Sequence, residues 1–211
     1  MIKVHKDIEQ GSEEWYAIRL GKVTGSRFNE AVSKGRNGGK SSGRENYMYQ
    51  LAFERLNKKP CPKKFKGTTS MDWGTETEDE ARDAFVTNTG LVVDQVGFIQ
   101  YNDDIGFSPD GLIGDDGVLE IKCPETITHM KYCGGASLPK KYRDQMQGGM
   151  MVTGRKYCWF VSYDPRHLIE PLHKRLIRRD DKYIAELRLG LTMFVTELKT
   201  LTEKLKPKPL F

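Results

Sequence analysis

The stretch "GFSPDGLIGDDGVLEIKCP", residues 106–124, decides the fold of this chain. Its "GDDG" is a turn signal between two short β-rich runs, so we expect the runs to fold back on each other as a hairpin. The period of two along the second run places Glu120 and Lys122 on one face of the sheet. Asp110, at the end of the first run, can then approach Glu120. One face of the hairpin therefore offers two carboxylates and an ammonium group.

Two explanations of this face are open. Mg²⁺ prefers hard oxygen ligands and can sit on a pair of carboxylates with a carbonyl or a substrate phosphate. A lysine beside the ion can position or deprotonate a bound water, with its own pKa lowered by the cation. The alternative is a solvent-facing hairpin with a charged pair. Pro109 and Gly111 flank Asp110, and Pro124 soon follows Lys122. A simple surface does not need strand ends fixed in this way, so the flanks favour the metal site.

The composition indicates one soluble globular domain. The chain has 211 residues, of which 37% are hydrophobic and 30% charged, and this suits a single core. No run approaches the ~20 apolar residues that cross a bilayer, and the N-terminal residues lack a signal-peptide core. We therefore expect a cytoplasmic protein without membrane contact.

Charge is unevenly distributed along the chain. The net charge of +5 favours a polyanionic partner only weakly. Residues 55–66 carry six basic side chains and no acid, whereas residues 72–83 are acid-rich. A basic surface beside an acidic one suits a metal-dependent enzyme that acts on phosphates. Two solvated loops are the alternative.

Sulfur and imidazole ligands show no motif. The four cysteines form no CxxC or Cys/His cluster in the sequence, so we expect neither a disulfide framework nor a zinc site; they are Cys61, Cys123, Cys133 and Cys158. The histidines are not clustered either, and we assign them no metal role; they are His5, His129, His167 and His173.

The order of predicted elements indicates an α/β fold with a central mixed β-sheet flanked by helices. Helices are expected after Ser12, over about 24–33, 45–57 and 73–89, after Pro139, and over about 180–206. Residues 34–46 are rich in Gly, Ser and Lys and predict a mobile loop. Strands are expected within 91–123, 156–164 and 172–178. We interpret the three tryptophans as core residues; they are Trp15, Trp73 and Trp159.

We predict a single domain over residues 1–211. It has an N-terminal helical part at 11–90, a catalytic sheet core at about 91–178 and a C-terminal helix at about 180–206. No repeat or linker divides it.

The pattern PD-x9-E-x-K, from Pro109 to Lys122, is the PD-(D/E)xK nuclease signature, which implies a restriction-endonuclease-like core. With its flanks it resembles the family of lambda-type exonucleases and YqaJ-type viral recombinases. Four other stretches resemble family motifs in order: "WYAIRLGKVTGSRF" (15–28), "WGTETEDEAR" (73–82), "YRDQMQGGMMVTG" (142–154) and "YCWFVSYDPR" (157–166). These motifs are weak singly and specific in combination.

The resemblance implies roles for the hairpin and for two helices. It implies metal ligands that would complete a two-metal site, namely Asp110, Glu120, the Ile121 carbonyl and a third acid, Glu78. It also implies that Lys122 and Gln145 hold or activate the attacking water. Two alternatives stay open: Glu78 can be one acid of a solvated helix face, and Gln145 can be a core amide.

The resemblance also implies a site for DNA ends. Arg19 and Ser26 match a pair that recognises a terminal 5′-phosphate, and Ser108 is placed in the same DNA-binding set. Met71 stands where the family has an apolar wedge between base pairs, a position held by leucine elsewhere in the family. Free N–H groups near a helix N-terminus would attract an anion at Ser26, and Arg19 would add a charged contact. The alternatives are that Arg19 is a surface arginine, Ser26 is a plain N-cap and Met71 is a core residue.

The function implied is a magnesium-dependent 5′→3′ exonuclease on double-stranded DNA. It would release 5′-mononucleotides and leave 3′ single strands for phage recombination. The resemblance further implies two Mg²⁺ ions, with Mn²⁺ as a substitute, a ring-shaped homotrimer on DNA ends and a single-strand annealing protein as partner. A phage or prophage protein in a bacterial host is expected.

Two other functions stay open. An endonuclease on the same core would cut a closed circle, which an exonuclease cannot do. A non-catalytic DNA-binding module would need no Mg²⁺ and would tolerate Lys122→Ala.

Overall fold

The computed structural model describes residues 2–62 and 69–207. Its helices are α1 (Glu13–Arg19), α2 (Phe28–Val32), α3 (Ser42–Asn57), α4 (Thr69–Thr89), α5 (Thr126–Cys133), α6 (Lys140–Thr153) and α7 (Asp181–Lys204). Several of these helices begin at a polar residue whose side chain accepts a hydrogen bond from a backbone amide of the first turn, as expected for helix N-termini. The Ser12 hydroxyl accepts a hydrogen bond from the Trp15 amide, and Asp180 does the same for Tyr183. No helix in the described ranges is long and apolar enough to span a membrane.

Nine strands in the described ranges form two mixed sheets. The first sheet has the order β1-β4-β5-β2, and its strands are β1 (Lys3–His5), β2 (Val23–Thr24), β4 (Phe98–Gln100) and β5 (Ile105–Phe107). The second has the order β3-β6-β7-β8-β9, and its strands are β3 (Val93–Asp94), β6 (Gly111–Ile113), β7 (Gly117–Lys122), β8 (Tyr157–Tyr163) and β9 (Leu172–Arg178). The β2–β5 and β7–β8 pairs are parallel. Helices α5 and α6 make the crossover from β7 to β8, as a parallel pair requires.

The chain passes from the first sheet to the second at Ser108–Asp110, between β5 and β6. The run "IGFSPDGLIG", expected as one strand, is thus divided, and the predicted single sheet is two sheets. Pro109 has no N–H for a ladder, which favours a break at this position. Gly111 then lets β6 pack closely, because a Cβ there would lie 2.2 Å from Val93 Cγ1.

The central strands of the second sheet, β6, β7 and β8, are largely buried on both faces. One face carries Val118 and Phe160 into the main core with α6 and α7. The opposite face carries Leu119 and Ile121 against a smaller cluster that includes Phe85 of α4. A strand buried on both sides leaves Glu120 without solvent, at 0% exposure.

Two local features differ from the predictions. The predicted loop is shorter than expected, with Lys34 and Lys40 in an isolated bridge, and α3 begins at Ser42 because the Ser41 hydroxyl accepts from the Arg44 amide. Helix α5 was not predicted. It has only eight residues and no side-chain cap, so its tertiary contacts, and not a local signal, account for it.

Candidate active site

The β6–β7 hairpin brings the predicted acids together. Gly111, the first residue of β6, pairs with Leu119. Asp110, which immediately precedes β6, therefore lies next to Glu120. Asp110 Oδ2 accepts a hydrogen bond from the Ile121 amide at 2.5 Å. Lys122 Nζ forms an ion pair with Glu120 Oε1 and donates to the Ile121 carbonyl at 2.9 Å. Two carboxyls, one carbonyl and one amine therefore meet at one strand end.

Arg82 connects Glu78 to this hairpin. Its guanidinium donates from Nη2 to Glu78 Oε1 at 2.8 Å and from Nε to the Asp110 carbonyl at 3.1 Å. It also contacts Asp79, and its own side chain is only 11% exposed. Arg82 therefore holds the acidic face of α4 against the Asp110 turn. Arg82 was not predicted as a site residue, and its position four residues after Glu78 was the available signal.

Burial raises the pKa values of all three acids, and the charge of Asp110 raises those of Glu78 and Glu120 further. Burial, and then the charge of Asp110, raise the pKa of Glu78 to about 7. Burial also raises the pKa of Asp110. The pKa of Glu120 rises to about 8 because burial and the other two acids outweigh the ion pair with Lys122. Lys122 and Arg82 therefore do not fully offset the cost of ionising these buried carboxyl groups together.

Lys122 differs from the expectation of a lowered pKa. Burial lowers the pKa of its amine, but the neighbouring Glu120 and Asp110 outweigh burial and raise it. The side chain is an ammonium group in this environment. It can donate hydrogen bonds to a water or a phosphate oxygen, whereas deprotonating a water would require a nearby cation to lower its pKa.

The acids fit a hard divalent cation. In the part of the chain that the structure describes, Oε2 of Glu120 is buried and has no hydrogen-bond partner. Leaving a carboxylate oxygen unpaired in a protein interior is costly unless a cation binds it. The donors around it are carboxylate and carbonyl oxygens, the ligand type that Mg²⁺ prefers. Asp110, Glu120, Glu78 and the Ile121 carbonyl are the residues that would hold it.

The two glutamines of α6 have different surroundings. Lys122 Nζ lies 5.6 Å from the ring centroid of Tyr142, and Gln145 is one helical turn after Tyr142. Gln145 is half-exposed, and the described residues provide no partner for its amide. Gln147 is buried and bonds to the Arg178 carbonyl and the Asp180 amide. Gln145 is therefore available to a ligand, and Gln147 is structural.

A second polar group forms around Ser108. Its hydroxyl accepts from Arg19 Nη1 at 2.8 Å and from Trp15 Nε1 at 2.9 Å, and it donates to the Gly97 carbonyl at 2.8 Å. The Arg19 guanidinium lies over the Trp15 ring, 3.7 Å from its centroid. Burial lowers the pKa of Arg19 to about 10, so it stays a cation at neutral pH. Trp15, expected in the core, is instead half-buried in this group.

Ser26 and Met71 complete the predicted DNA-binding set. Ser26 follows β2 as Ser108 follows β5, and these neighbouring strands are parallel, so the two serines lie at the same end of the first sheet. Ser26 is exposed, in a short 3-10 turn. The side chain of Met71 lies outside the described part of the structure, as do residues 63–66 of the basic segment. Arg55 of that segment is paired with Asp104 at 2.9 Å.

A cavity of about 740 Å³ extends from the acids Glu78 and Asp110 to Trp15. Glu78 and Asp110 line it together with Trp15 and the N-terminal residues 6–11. Gln10 contributes to the wall and donates to the Pro109 carbonyl at 2.8 Å. The three-residue corner at 108–110 carries both Ser108 and Asp110, so the phosphate-binding candidate and the acid pair have a fixed separation.

The expectation that no Cys/His cluster exists was wrong. Ligand atoms of His129, Cys133 and His167 lie within 4.8 Å of one another, and Cys133 also groups with Glu170 and His173. The fold assembles them from α5 and from the segment around the β8–β9 connection, so sequence spacing could not show the cluster.

The mixed α/β frame and the acid–lysine hairpin define the PD-(D/E)xK class. The model of the YqaJ-like viral recombinase domain matches residues 14–156, and the chain belongs to this family. The family prediction and the α/β fold class are thereby confirmed. An alkaline exonuclease from Laribacter hongkongensis, LHK-Exo, shares 39% identity with a TM-score of 0.84, over 92% of this chain and 96% of that one.

Other relatives agree with this placement. LHK-Exo in complex with dAMP gives the same identity, coverage and TM-score. A phage-related exonuclease from Haemophilus somnus 129PT has a TM-score of 0.66 at 15% identity, over 88% of this chain and 96% of that one, and it supports the fold alone. The ExoD protein of Escherichia coli (strain K12) is 32% identical over 65 residues, 31% of this chain and 75% of its own. The family and LHK-Exo together support a nuclease role.

Proposed function

We propose that this chain is a magnesium-dependent 5′→3′ exonuclease that degrades one strand of duplex DNA from its end. It releases 5′-mononucleotides and leaves 3′ single strands for recombination. The observation that carries the proposal is the fully buried Glu120, which has an unpartnered oxygen and lies beside Asp110 and Lys122. The existence of LHK-Exo in complex with dAMP supports a mononucleotide as the product.

The protein groups divide the chemistry among them. Asp110, Glu120, the Ile121 carbonyl and Glu78 hold one or two divalent ions, with Mn²⁺ as a substitute for Mg²⁺. When bound, such ions polarise the phosphodiester and lower the pKa of water. The Lys122 ammonium and the free amide of Gln145 orient the attacking water. Arg82 holds Glu78 in place and limits how far the acids can separate.

The Arg19–Ser108 group accounts for the direction of digestion. Arg19 has no carboxylate partner among the described residues and is aligned by the Trp15 ring and the Ser108 hydroxyl. A guanidinium without an acid partner can take a terminal 5′-phosphate through charge-assisted hydrogen bonds. Ser26 adds a hydroxyl at the same sheet end. Binding the terminal phosphate at a fixed separation from the acids yields one nucleotide per cut.

The partners are proposed from the family resemblance. They are the ends of double-stranded DNA, two further copies of the chain in a ring, and a single-strand annealing protein that receives the 3′ strand. Met71 remains the proposed wedge between base pairs.

The test uses four DNA substrates with Mg²⁺: linear duplex with a 5′-phosphate, linear duplex with a 5′-hydroxyl, a nicked circle and a closed circle. We expect mononucleotides from the linear duplex, fastest with the 5′-phosphate, and an intact closed circle. Cutting of the closed circle would establish an endonuclease instead.

Lys122→Ala should abolish turnover and keep DNA affinity. A DNA-binding module would show no Mg²⁺-dependent change in any substrate.

A further inference from the structure

The cluster on α5 and the β8–β9 connection lies apart from the proposed catalytic acids and has a different chemistry. His129 and Cys133 are one helical turn apart on α5, and His167 comes from the residues that follow β8. His129 is fully buried, whereas Cys133 and His167 are half-exposed. We propose that His129, Cys133 and His167 bind a zinc ion, and that the Glu170 carboxylate, which lies close to Cys133, shifts toward the two histidines to become the fourth ligand.

The spacing of the donor atoms suits tetrahedral zinc. Cys133 Sγ lies 3.4 Å from His129 Nε2. Zinc–sulfur and zinc–nitrogen bonds of normal length at a tetrahedral angle place the two donors about 3.6 Å apart. The His-x3-Cys spacing within one helix also brings two ligands to the same helix face. To admit the ion, the Glu170 carbonyl would leave its place beside both rings, where it lies 2.7 Å from His129 Nε2 and 2.9 Å from His167 Nδ1.

Ser162 supplies the outer contact that zinc-bound histidines generally have. Its buried hydroxyl lies 2.8 Å from His129 Nδ1. His129 Nε2 donates to the Glu170 carbonyl at 2.7 Å, so Nδ1 accepts from Ser162 in this arrangement. On zinc binding the Cys133 thiol proton is released to solvent, and the single His129 ring proton moves from Nε2 to Nδ1 by exchange with solvent, so that Nε2 binds the metal and Nδ1–H donates to the Ser162 oxygen. A rotating hydroxyl permits this change of tautomer without moving the ring.

His173 holds the carboxylate that we propose as the fourth ligand. Its Nδ1 is 2.7 Å from Glu170 Oε1, and its Nε2 accepts from Arg175 at 3.0 Å. Both ring nitrogens are thereby engaged, and the Glu170 carboxylate is held close to the Cys133 sulfur. The ion would thus hold the residues after β8 against α5.

The donor set selects against magnesium. A thiolate with two imidazoles favours zinc or cobalt, whereas the catalytic acids offer oxygen donors alone. The two sites should therefore bind different metals in one protein. His129 is linked to the acid site through Ser162, which contacts Nδ1 and pairs with Lys122 between β8 and β7.

Cobalt titration of the metal-free full chain tests the site directly. We expect one equivalent of Co²⁺ to produce a sulfur-to-metal charge-transfer band in the near ultraviolet, which zinc then abolishes. Cys133→Ser should remove the band, and His167→Ala should weaken cobalt binding at least about tenfold, because each loses one ligand. Cys61→Ser and Cys123→Ser are the matched controls and should keep the band, as should Glu120→Gln.

Thermal unfolding provides the second measurement. Zinc at 100 times its Kd should raise the Tm of the wild type and of Glu120→Gln by about 5–10 °C, and the Tm of Cys133→Ser by much less. No cobalt band in the wild type, or a band that survives in Cys133→Ser, would overturn the proposal. Using Cys133 and His167 avoids the fully buried His129, whose replacement could disturb folding.

Discussion

Two carboxyls at 0% exposure, Glu120 on β7 and Asp164 just after β8, are treated by the fold in opposite ways. Oε2 of Glu120 has no partner among the described residues, and its pKa is raised to about 8. Burial alone would also raise the pKa of Asp164, but hydrogen bonds from Arg166 and Thr126 hold it at about 2. Completeness of hydrogen bonding, more than depth, separates them.

Two arginines show the same contrast. Arg166 lies over the Trp73 ring at 4.5 Å and donates to Asp164 from Nε at 2.7 Å and Nη2 at 3.1 Å. Arg19 lies over the Trp15 ring, and among the described residues its side chain bonds only to the Ser108 hydroxyl. Asp164 and Arg166 use their hydrogen-bonding groups on each other. Glu120 and Arg19 each have a charged group that can still bind a ligand. We therefore assign the first pair a structural role, and the second pair is where the proposed function places its ligands.

The largest effect is expected from Glu120→Gln. The change keeps the size of the side chain and removes a charged oxygen from the proposed metal site. Loss of several kcal/mol of transition-state stabilisation corresponds to a fall in the rate of DNA digestion of at least about 10³-fold. The Tm should be unchanged or higher, because a buried and incompletely paired acid has been removed. If Glu120→Gln kept the wild-type digestion rate, Glu120 would not be a catalytic residue.

Proton competition at the acid site should make Mg²⁺ binding depend on pH. The pKa values of Glu78 and Glu120, about 7 and about 8, are raised, so protons occupy these groups until the pH exceeds those values. The apparent Mg²⁺ affinity should therefore rise from pH 6 to pH 8 by about tenfold per pH unit for each proton displaced, and level off above. Titrating Mg²⁺ in single-turnover digestion at each pH measures it. A flat profile would show that the acids are already ionised at pH 6.

Arg19→Ala should abolish the preference for phosphorylated ends. A charge-assisted hydrogen bond contributes about 1.5–3 kcal/mol, so the rate ratio between 5′-phosphate and 5′-hydroxyl duplexes should fall by about 10- to 100-fold. Arg166→Ala is the matched control, because it also removes an arginine from a tryptophan ring and should leave that ratio unchanged. If both variants lost the preference for 5′-phosphate ends equally, Arg19 would affect the rate ratio through the stability of the fold and not through contact with the phosphate.

Local signals were enough to predict the hairpin, because the turn, the strand period and the acids all lie within residues 106–124. They were not enough for contacts that depend on distant segments. Arg82 meets the Asp110 carbonyl 28 residues away, and His129 meets the Glu170 carbonyl across 41 residues. The division of the chain into two sheets at Pro109 was equally hidden, since strand pairing is chosen by the tertiary packing on both faces.

The smallest effect is expected from Asp164→Asn, the isosteric counterpart of Glu120→Gln. It removes the charge that Arg166 and Thr126 satisfy, and should destabilise the fold by about 1–3 kcal/mol. The Tm should fall by about 2–4 °C per kcal/mol, while the rate per folded molecule changes little. Because the pKa of Asp164 is lowered to about 2, its contribution is present above about pH 4 and is lost as the pH falls through 2. Wild type and variant should therefore converge in Tm at low pH. A variant that stays folded but loses its digestion rate would show that a fully paired acid can also serve catalysis, and the distinction between the two carboxyls would fail.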